Sequence, residues 1–382
     1  MNSQTDFVII GAGVIGLSIG WQLVRRGVRV TLLEKNQAGG GASHVAAGML
    51  APHAEVGFEE VGLLKFGEYS LQLYPQFVSE IKADSGIDPD FTKCGTQLVG
   101  IGRDDSEYLR RLYDFRKELG LYAEWTGGSA ARDREPLLAP RITSGVWLPN
   151  DGQVNNRRLL ASLIKGFRQL GGRLHENTEV KEVEIYGEHD FTVHTGESEF
   201  HARSLVVATG CRMPDFKGLP EEELPPVRPV KGQILSLRSN REVNLSHIIR
   251  TPRVYLVPKS DGLIRVGATS EEMGFDTNPT AGGLKELLDE AWETVPAIYE
   301  LEIEEFIAGL RPASPDHGPV IGKSAVPGLS FATGHYRHGI LLAPVTAYEL
   351  VKELVDDETS DHLVPWKPGR FKKNTRSLSD FL

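Results

Sequence analysis

A glycine-rich turn near the start of the chain could bind phosphate groups. A short apolar run leads into GAGVIG (residues 11–16), and a helical pattern and a second apolar run follow. In a strand–turn–helix unit, Gly11 permits the tight turn, Gly13 lets the backbone approach a pyrophosphate, and Gly16 lets the helix pack on the strand. The helix N-terminus also offers unpaired N–H groups and a positive dipole end. These features predict a dinucleotide-binding site.

An acid follows the turn at the position where a ribose would lie. Glu34 ends the second apolar run, 18 residues after Gly16, and its carboxylate can accept hydrogen bonds from a ribose diol. A glycine-rich turn without a ligand is the alternative, but strand, helix and acid all occur here, which disfavours it. The motif does not choose between NAD and FAD. Its place at the start of a long chain favours a flavoenzyme that builds its substrate site from later segments.

Arg311 could bind a carboxylate. It lies in GLRP (residues 309–312), between the end of an apolar strand and a proline-rich turn. An arginine at this place serves either as a structural ion pair or as a clamp for a ligand carboxylate, because its planar fork matches a carboxylate bidentately. The sequence leaves both interpretations open.

Four further residues are candidates for the same site. Tyr255 lies in mid-strand among apolar residues, so core packing is its alternative role. Arg337 precedes a helix predicted to begin near Ile340, whose N-terminus could stabilise an anion formed on a reduced flavin. His335 and His338 could be catalytic bases, but with no partner acid nearby in the sequence, surface or supporting roles are favoured.

The remaining pattern predicts an α/β protein with two kinds of sheet. Residues 205–210 form an apolar run that ends at glycine, typical of a buried parallel strand, and we expect it to rejoin the first sheet. Residues 226–269 alternate like antiparallel strands, with SDG (residues 260–262) as a hairpin turn. The glycine- and alanine-rich residues 38–50 form either a flexible linker or backbone that lies flat against a large planar ligand.

The fold class that we expect is α/β, with a Rossmann-like cofactor domain that is discontinuous in sequence; the α+β substrate domain with a large antiparallel sheet is what a family resemblance of the later motifs implies. The cofactor domain comprises residues 1–85, 145–225 and 320–365, the substrate domain comprises residues 86–144 and 226–319, and a polar C-terminal tail covers residues 366–382. A chain of 382 residues exceeds the size at which a single core usually keeps growing, which also favours two domains.

Composition excludes several classes of partner. The net charge of −10 argues against nucleic acid and anionic membrane surfaces. The two cysteines, Cys94 and Cys211, lie far apart and outside any metal-binding spacing, which indicates a reducing compartment and no metal site. The start of the chain lacks a basic signal-peptide region, and no apolar stretch reaches the roughly 18 residues of a spanning helix. We therefore expect a cytoplasmic enzyme.

The chain resembles the D-amino-acid-oxidase-like flavoproteins over nearly its whole length. The segments that carry the resemblance are AAGMLAPHAE (46–55), PVKGQ (229–233), YLVPKSDGLIRVGAT (255–269), GLRPASPDHGPVIG (309–322) and GHYRHGILLAP (334–344). The first and the last of these segments are far more specific than the nucleotide fingerprint.

The resemblance implies that FAD is the cofactor. Besides the fingerprint glycines, the residues that match FAD-contacting positions of the family are Val14, Ile15, Glu34, Lys35, Ala42, Ser43, Ala47, Gly48, Met49, Val180, His335, Tyr336, Arg337, His338, Gly339, Ile340 and Leu341. In the family, positions matching Arg311 and Tyr255 bind the substrate carboxylate, and the position matching Arg337 lies at the same site. No side chain is required as a catalytic base.

The activity that the resemblance implies is oxidative deamination of a small amine. The likeness is strongest to glycine-oxidising members that serve thiamine biosynthesis, so the expected substrates are glycine, sarcosine and small D-amino acids. The expected products are a 2-oxo acid, ammonia and, with dioxygen as acceptor, hydrogen peroxide; a homotetramer is also implied. One alternative is a D-amino-acid dehydrogenase of the same fold with another electron acceptor, and a second is a non-catalytic flavoprotein subunit.

The FAD is predicted to be bound non-covalently. Monomeric sarcosine oxidases, which are related, tether flavin through a cysteine near the C-terminal active-site segment, whereas this chain has no cysteine after Cys211. Acid or heat should therefore release intact FAD from the purified protein, which chromatography of the supernatant would detect. Flavin that stays on the denatured polypeptide would contradict this prediction, and bound NAD without flavin would contradict the cofactor assignment.

Overall fold

The computed structural model describes residues 5–55, 57–213 and 216–372. The strands are β1 (Thr5–Ile10), β2 (Val30–Leu33), β3 (Met49–Leu50), β4 (Thr96–Ile101), β5 (Glu124–Gly127), β6 (Ile142–Leu148), β7 (Gly152–Gln153), β8 (Arg173–His175), β9 (Val180–Gly187), β10 (Asp190–Thr195), β11 (Glu199–Val207), β12 (Arg228–Arg238), β13 (Ile248–Arg250), β14 (Tyr255–Pro258), β15 (Leu263–Gly267), β16 (Glu302–Ala313), β17 (Val320–Lys323) and β18 (Leu329–Thr333). The α-helices are α1 (Val14–Arg25), α2 (Ala42–Val45), α3 (Pro52–Glu55), α4 (Val61–Ser85), α5 (Gly102–Glu118), α6 (Gly128–Arg134), α7 (Asn156–Gln169), α8 (Ala281–Thr294) and α9 (Ala343–Val355).

The first sheet has eight strands and a parallel centre. β1 lies between β2 and β11, so that Ile10 is level with Leu33 on one side and with Val207 on the other. β18 continues the parallel arrangement beyond β11. Strands in the middle of such a sheet are buried on both faces, which explains their continuous apolar sequences. The parallel strand predicted within residues 205–210 is confirmed, and it lies directly beside β1.

Helices α1, α4, α7 and α9 pack on one face of the first sheet. Trp21, Phe77 and Phe167 are fully buried among them, and the Trp21 and Phe77 rings meet edge to face at 5.3 Å between centroids. Asn155 caps α7, because its side chain accepts a hydrogen bond from the Arg158 N–H at 3.1 Å. This packing fixes the start of α1, and with it the glycine-rich turn that leads into the helix.

The second sheet also has eight strands, in the order β16-β12-β15-β14-β13-β4-β6-β5. β14 and β15 form the predicted antiparallel hairpin, whereas β13 and β4 run parallel, so the expected antiparallel sheet is mixed at this point. Along β12, Leu235 packs in the core beneath α8, while Gly232 and Ile234 face a cavity. Because successive side chains of a strand alternate between faces, β12 serves both the core and the cavity.

The helix expected to begin near Ile340 instead begins at Ala343. A turn occupies residues 339–342, and Pro344 lies in the first helical turn, where its missing N–H is tolerated. The segment that the sequence placed at a helix N-terminus is therefore a turn that precedes the helix.

Part of the predicted polar tail packs on α4. The Trp366 and Phe66 rings lie 5.5 Å apart between centroids, and residues 373–382 of the predicted tail lie outside the described residues. Among the helices of the described residues, none combines the length and the apolar character needed to cross a bilayer.

Candidate cofactor and substrate site

A cavity of about 670 Å³ joins the carboxyl ends of the first sheet's parallel strands to one face of the second sheet. Its wall includes Gly11 and Glu34 at one end and Tyr255 and Arg311 at the other. Ligands of open α/β sheets bind at the carboxyl ends of the strands, and cavities of this size commonly enclose a cofactor or a small ligand. The cavity therefore connects the phosphate-binding turn with the residues predicted to hold a carboxylate.

The glycines of the turn allow very close backbone packing. A Cβ atom on Gly16 would lie 2.0 Å from the Gly11 carbonyl oxygen, and one on Gly11 would lie 2.5 Å from the Ala208 carbonyl oxygen. Gly11 has a φ of +103°, which L side chains rarely adopt. Gly13 is the N-cap of α1 and supplies no capping side chain, so the helix N-terminus can receive an anion.

The Glu34 carboxylate is held beside the turn by two backbone groups. Its Oε2 accepts a hydrogen bond from the Ala12 N–H at 2.8 Å, and its Oε1 accepts one from the Asn36 N–H at 3.0 Å. A carboxylate can accept about four hydrogen bonds, so each oxygen can also accept a ribose hydroxyl. The structure thus places an oriented acid where the sequence predicted one.

The small-residue segment 38–50 is an ordered wall of the cavity rather than a linker. The Val14 N–H donates to the Ser43 Oγ at 3.0 Å, and the Asn156 side chain donates to the Ser43 carbonyl at 2.8 Å. Gly48 has a φ of +75°, and a Cβ atom there would lie 2.2 Å from the Val154 carbonyl oxygen. These contacts favour the interpretation that the backbone lies flat against a planar ligand.

Arg311 lies on β16 with its guanidinium at the cavity wall. Within the described part of the chain it forms no ion pair, and its hydrogen bonds there run from Nη1 to the carbonyl oxygens of Thr269, at 3.0 Å, and Lys231, at 3.4 Å. A structural ion pair, one of the two roles that the sequence left open, is therefore not what the structure shows. The remaining N–H donors are available to an anionic ligand.

Two strand glycines make room for the side chains of this site. The Arg311 guanidinium lies over Gly232, where a Cβ atom would be 2.3 Å from Nη2. The Tyr255 ring lies over Gly267, its neighbour in the β14–β15 ladder, where a Cβ atom would be 2.5 Å from the hydroxyl oxygen. Both side chains can therefore lie flat on the same face of the sheet.

Tyr255 is a neutral hydrogen-bond donor. Burial raises the pKa of its phenol to about 12, although the positive charges of Arg311, Arg250 and Arg337 act in the opposite direction. The hydroxyl consequently keeps its proton at neutral pH and can donate a hydrogen bond to a carboxylate oxygen.

The two histidines are buried and neutral. Burial lowers the pKa of His335 to about 3, and its Nε2 lies 3.0 Å from the Thr346 hydroxyl. Burial also lowers the pKa of His338, whose Nδ1 lies 3.9 Å from the Glu55 carboxylate. Lowering the pKa of an imidazole makes it a weaker base at neutral pH, which favours supporting roles for both histidines.

Most of the predicted site residues meet at this cavity. Those in its wall are Gly11, Gly13, Val14, Ile15, Glu34, Lys35, Ala42, Ser43, Ala47, Gly48, Met49, Val180, Tyr255, Arg311, His335, Tyr336, Arg337, Gly339 and Ile340. Three others, Gly16, His338 and Leu341, are buried outside the wall. Gly16 and Leu341 act there through packing.

Other residues of the cavity were not singled out from the sequence. Gly232 lies inside β12 and Gly267 is the last residue of β15, and an isolated glycine in a strand marks a close approach, so this signal was present. Glu55 also lines the cavity, and its carboxylate lies 3.6 Å from the Arg250 guanidinium. Cys211 lines it too. Nothing in the local sequence distinguishes these last residues from ordinary surface or core positions.

These residues fit FAD. The turn and the N-terminus of α1 suit a pyrophosphate, Glu34 suits a ribose, and the backbone around Gly48 offers a flat surface on which a flavin can lie. Among the described residues, no group of three or more His, Cys, Asp or Glu side chains is arranged to hold a metal ion.

Comparison with known proteins defines the class. The model of the DAO family, described as FAD dependent oxidoreductase, matches residues 6–353. The chain therefore belongs to the DAO family of FAD-dependent oxidoreductases, and FAD is its cofactor.

Similar proteins include a glycine oxidase and a ThiO/ThiG protein. Glycine oxidase of Geobacillus kaustophilus is 34% identical over 376 residues, which is 97% of this chain and 98% of that protein, and a crystal structure of glycine oxidase from the same organism aligns with a TM-score of 0.89 at 33% identity, over 96% of this chain and 99% of that one. The bifunctional protein ThiO/ThiG of Trichormus variabilis is 34% identical over 379 residues. That alignment covers 98% of this chain but 56% of the relative, so the chain spans just over half the length of that protein.

Gly232 provides a test of the site that leaves the fold intact. In Gly232→Ala, the new Cβ would displace the tip of Arg311, a flexible side chain, and the backbone at Gly232 does not require a positive φ. We expect KM for an amino-acid substrate to rise about tenfold or more, equivalent to roughly 1.4 kcal/mol, with FAD still bound. Steady-state kinetics and flavin absorbance on one sample would measure both.

Gly282→Ala is the matched control, because a Cβ on this glycine of α8 meets nothing within 4 Å. An unchanged KM in Gly232→Ala, or an equal rise in the control, would contradict the geometry assigned to Arg311.

Proposed function

We propose that this oxidoreductase deaminates glycine and other small amines, among them sarcosine and small D-amino acids. The observation that carries the proposal is the guanidinium of Arg311, which meets no carboxylate of the described chain and faces the cavity that also holds the dinucleotide turn. A cation so placed suits a substrate that brings its own carboxylate. The similarity to glycine oxidases supports the choice of substrate.

The chain's own residues bind and orient the substrate. The Arg311 fork can hold both carboxylate oxygens, the neutral Tyr255 hydroxyl can donate a further hydrogen bond, and Arg337 adds a second positive charge at the cavity wall. Holding the carboxylate at a fixed place orients the α-carbon, and such positioning is itself a large source of catalysis.

When bound, FAD supplies the redox chemistry, since it can take two electrons from the amine and pass them to dioxygen, which gives hydrogen peroxide. The resulting imine is hydrolysed to a 2-oxo acid and ammonia. The substrate amine has to be neutral for this oxidation, and the buried imidazoles of His335 and His338, whose pKa values are lowered, do not serve as its base. Activity is therefore expected to rise with pH as the amine itself loses its proton.

The biological setting that we propose is thiamine biosynthesis, in which the imine would serve thiazole formation. The relative named ThiO/ThiG supports this setting, together with the motif resemblance. A cytoplasmic location is proposed because the chain has only two cysteines, far apart. A homotetramer is proposed on the resemblance alone.

Arg311→Lys tests the carboxylate clamp. The variant keeps the positive charge but loses the bidentate fork, so we expect KM for glycine to rise strongly, by about tenfold or more, and kcat to fall because the substrate is misoriented. FAD should remain bound, since the guanidinium lies at the substrate end of the cavity. Acetate and glycolate should compete with glycine in the wild type and do so poorly in the variant.

Arg265→Lys is a matched control. Arg265 is a buried arginine of the same sheet, but it is paired with Glu305 at 3.0 Å, so its substitution should affect stability and not KM. A folded, FAD-loaded Arg311→Lys variant with the wild-type KM for glycine would end the assignment of Arg311 as the clamp.

A further inference from the structure

The face of β12 opposite the cavity carries two polar side chains that are completely buried. Gly232 faces the cavity, so its neighbours Lys231 and Gln233 project to the other face, and both have an exposed fraction of 0%. Buried lysine and glutamine side chains are costly to desolvate unless every polar atom is bonded. Their contacts lead to the segment of residues 269–280, here named the rim segment, in which Thr277 lines the cavity.

The side-chain amide of Gln233 forms three hydrogen bonds with the rim segment. Its Nε2 donates to the Glu271 Oε1 at 2.7 Å and to the Thr280 Oγ1 at 3.1 Å, and its Oε1 accepts the Thr280 N–H at 2.7 Å. The fit leaves no spare room, because a Cβ on Gly283 would lie 2.4 Å from the Gln233 Nε2.

The backbone of Gln233 holds the same segment. Its N–H donates to the Thr269 Oγ1 at 2.9 Å, and that hydroxyl donates to the Glu271 Oε1 at 2.5 Å. Burial raises the pKa of Glu271, but the hydrogen bonds from Gln233 and Thr269 and the charge of Lys231 hold it below its usual value. Glu271 therefore stays ionised and accepts both donors.

Lys231 fixes the far part of the rim segment. Its ammonium donates to the Asp276 carboxylate and to the Asn278 carbonyl oxygen, each at 2.6 Å. Its backbone exchanges two hydrogen bonds with Glu271, of 2.9 and 3.0 Å, which continues the β12–β15 ladder past the end of β15.

This network ends at the guanidinium of Arg311. The two carbonyl oxygens that accept from Arg311 Nη1 belong to Thr269 and Lys231, which are the residues that the network ties together. A shift of Thr269 away from β12 would move the acceptor that makes the shorter of these hydrogen bonds. The orientation of the fork in the cavity is thus set from the opposite face of the sheet.

We infer that Gln233 and Lys231 are positioning residues for substrate carboxylate binding, and that their contacts with the rim segment hold in place the Thr269 and Lys231 carbonyls that accept from Arg311. The inference rests on the proposed function, in which Arg311 binds the carboxylate. Neither side chain touches the cavity wall itself, so each acts only through the acceptors that it holds in place.

The test is equilibrium binding of acetate to the FAD-loaded protein, followed by the change in flavin absorbance, together with KM and kcat for glycine. Gln233→Leu keeps the side-chain size and removes all three amide contacts. We expect the Kd for acetate and the KM for glycine to rise by about tenfold or more, because small misplacements of a binding group cost this much. FAD occupancy should be unchanged.

Gln97→Leu is the matched control. Gln97 is a fully buried glutamine on β4 of the same sheet, and its side chain bonds the Leu98 carbonyl and Arg134, with no link to Arg311. A loss of packing or of a buried amide would lower the midpoint of thermal unfolding in both variants, whereas only Gln233→Leu should raise the Kd for acetate.

A milder variant and a double mutant make the test decisive if Gln233→Leu folds poorly. Thr269→Val removes the hydroxyl between Gln233 and Glu271 but keeps the carbonyl, and it should raise the Kd for acetate in the same direction. In an Arg311→Lys background, either substitution should change the Kd less than twofold, because the group that they position is already altered.

The outcomes separate the inference from the proposed function. Suppose that Arg311→Lys weakens acetate binding but Gln233→Leu and Thr269→Val bind acetate as the wild type does. The positioning role is then wrong, and Arg311 remains the carboxylate clamp. The same conclusion holds if these two substitutions weaken acetate binding as much in the Arg311→Lys background as in the wild type. If Arg311→Lys itself binds acetate and glycine normally, the proposed function fails and the inference fails with it.

Discussion

The site depends on one cation that is held in place by backbone oxygens. Arg311 meets no carboxylate among the described residues, and its Nη1 contacts are the carbonyls of Thr269 and Lys231. A partly buried charge without a counter-ion is unfavourable in the empty protein, and a bound carboxylate would relieve that cost. The same arrangement would favour substrates that carry a carboxylate over simple amines. An amine without a carboxylate would leave the Arg311 guanidinium unpaired, and an unpaired polar group in a binding site disfavours the wrong ligand.

Three glycines allow the two sheets to share one cavity. Gly48 brings the small-residue segment 38–50 against Val154, while Gly232 and Gly267 let Arg311 and Tyr255 lie flat on the second sheet. Each position would clash with a Cβ atom at 2.5 Å or less. Backbone and side chains therefore meet at distances that only glycine permits, and this brings the substrate end of the cavity close to the flat wall on which a flavin can lie.

The sequence predicted the cofactor end of the site far better than the substrate end. The turn from Gly11 to Gly16 and the acid Glu34 lie within one strand–helix–strand unit, so spacing alone relates them. Arg311 and Tyr255 come together only through the order of strands in the second sheet, which no local pattern specifies, and the motif resemblance was needed to place them in one site. The burial of His335 could not be read from the sequence either, because a polar segment rich in histidine normally indicates a surface.

We propose that an amino acid with a free carboxylate reduces the FAD of this protein. The most direct measurement adds glycine to the FAD-loaded protein without oxygen and follows the visible absorbance of the flavin, with methylamine as the comparison. We expect glycine to bleach the flavin, methylamine to do so far more slowly, and air to restore the colour with formation of hydrogen peroxide. Flavin that glycine, sarcosine and D-alanine all leave oxidised, in a sample that dithionite reduces, would contradict it.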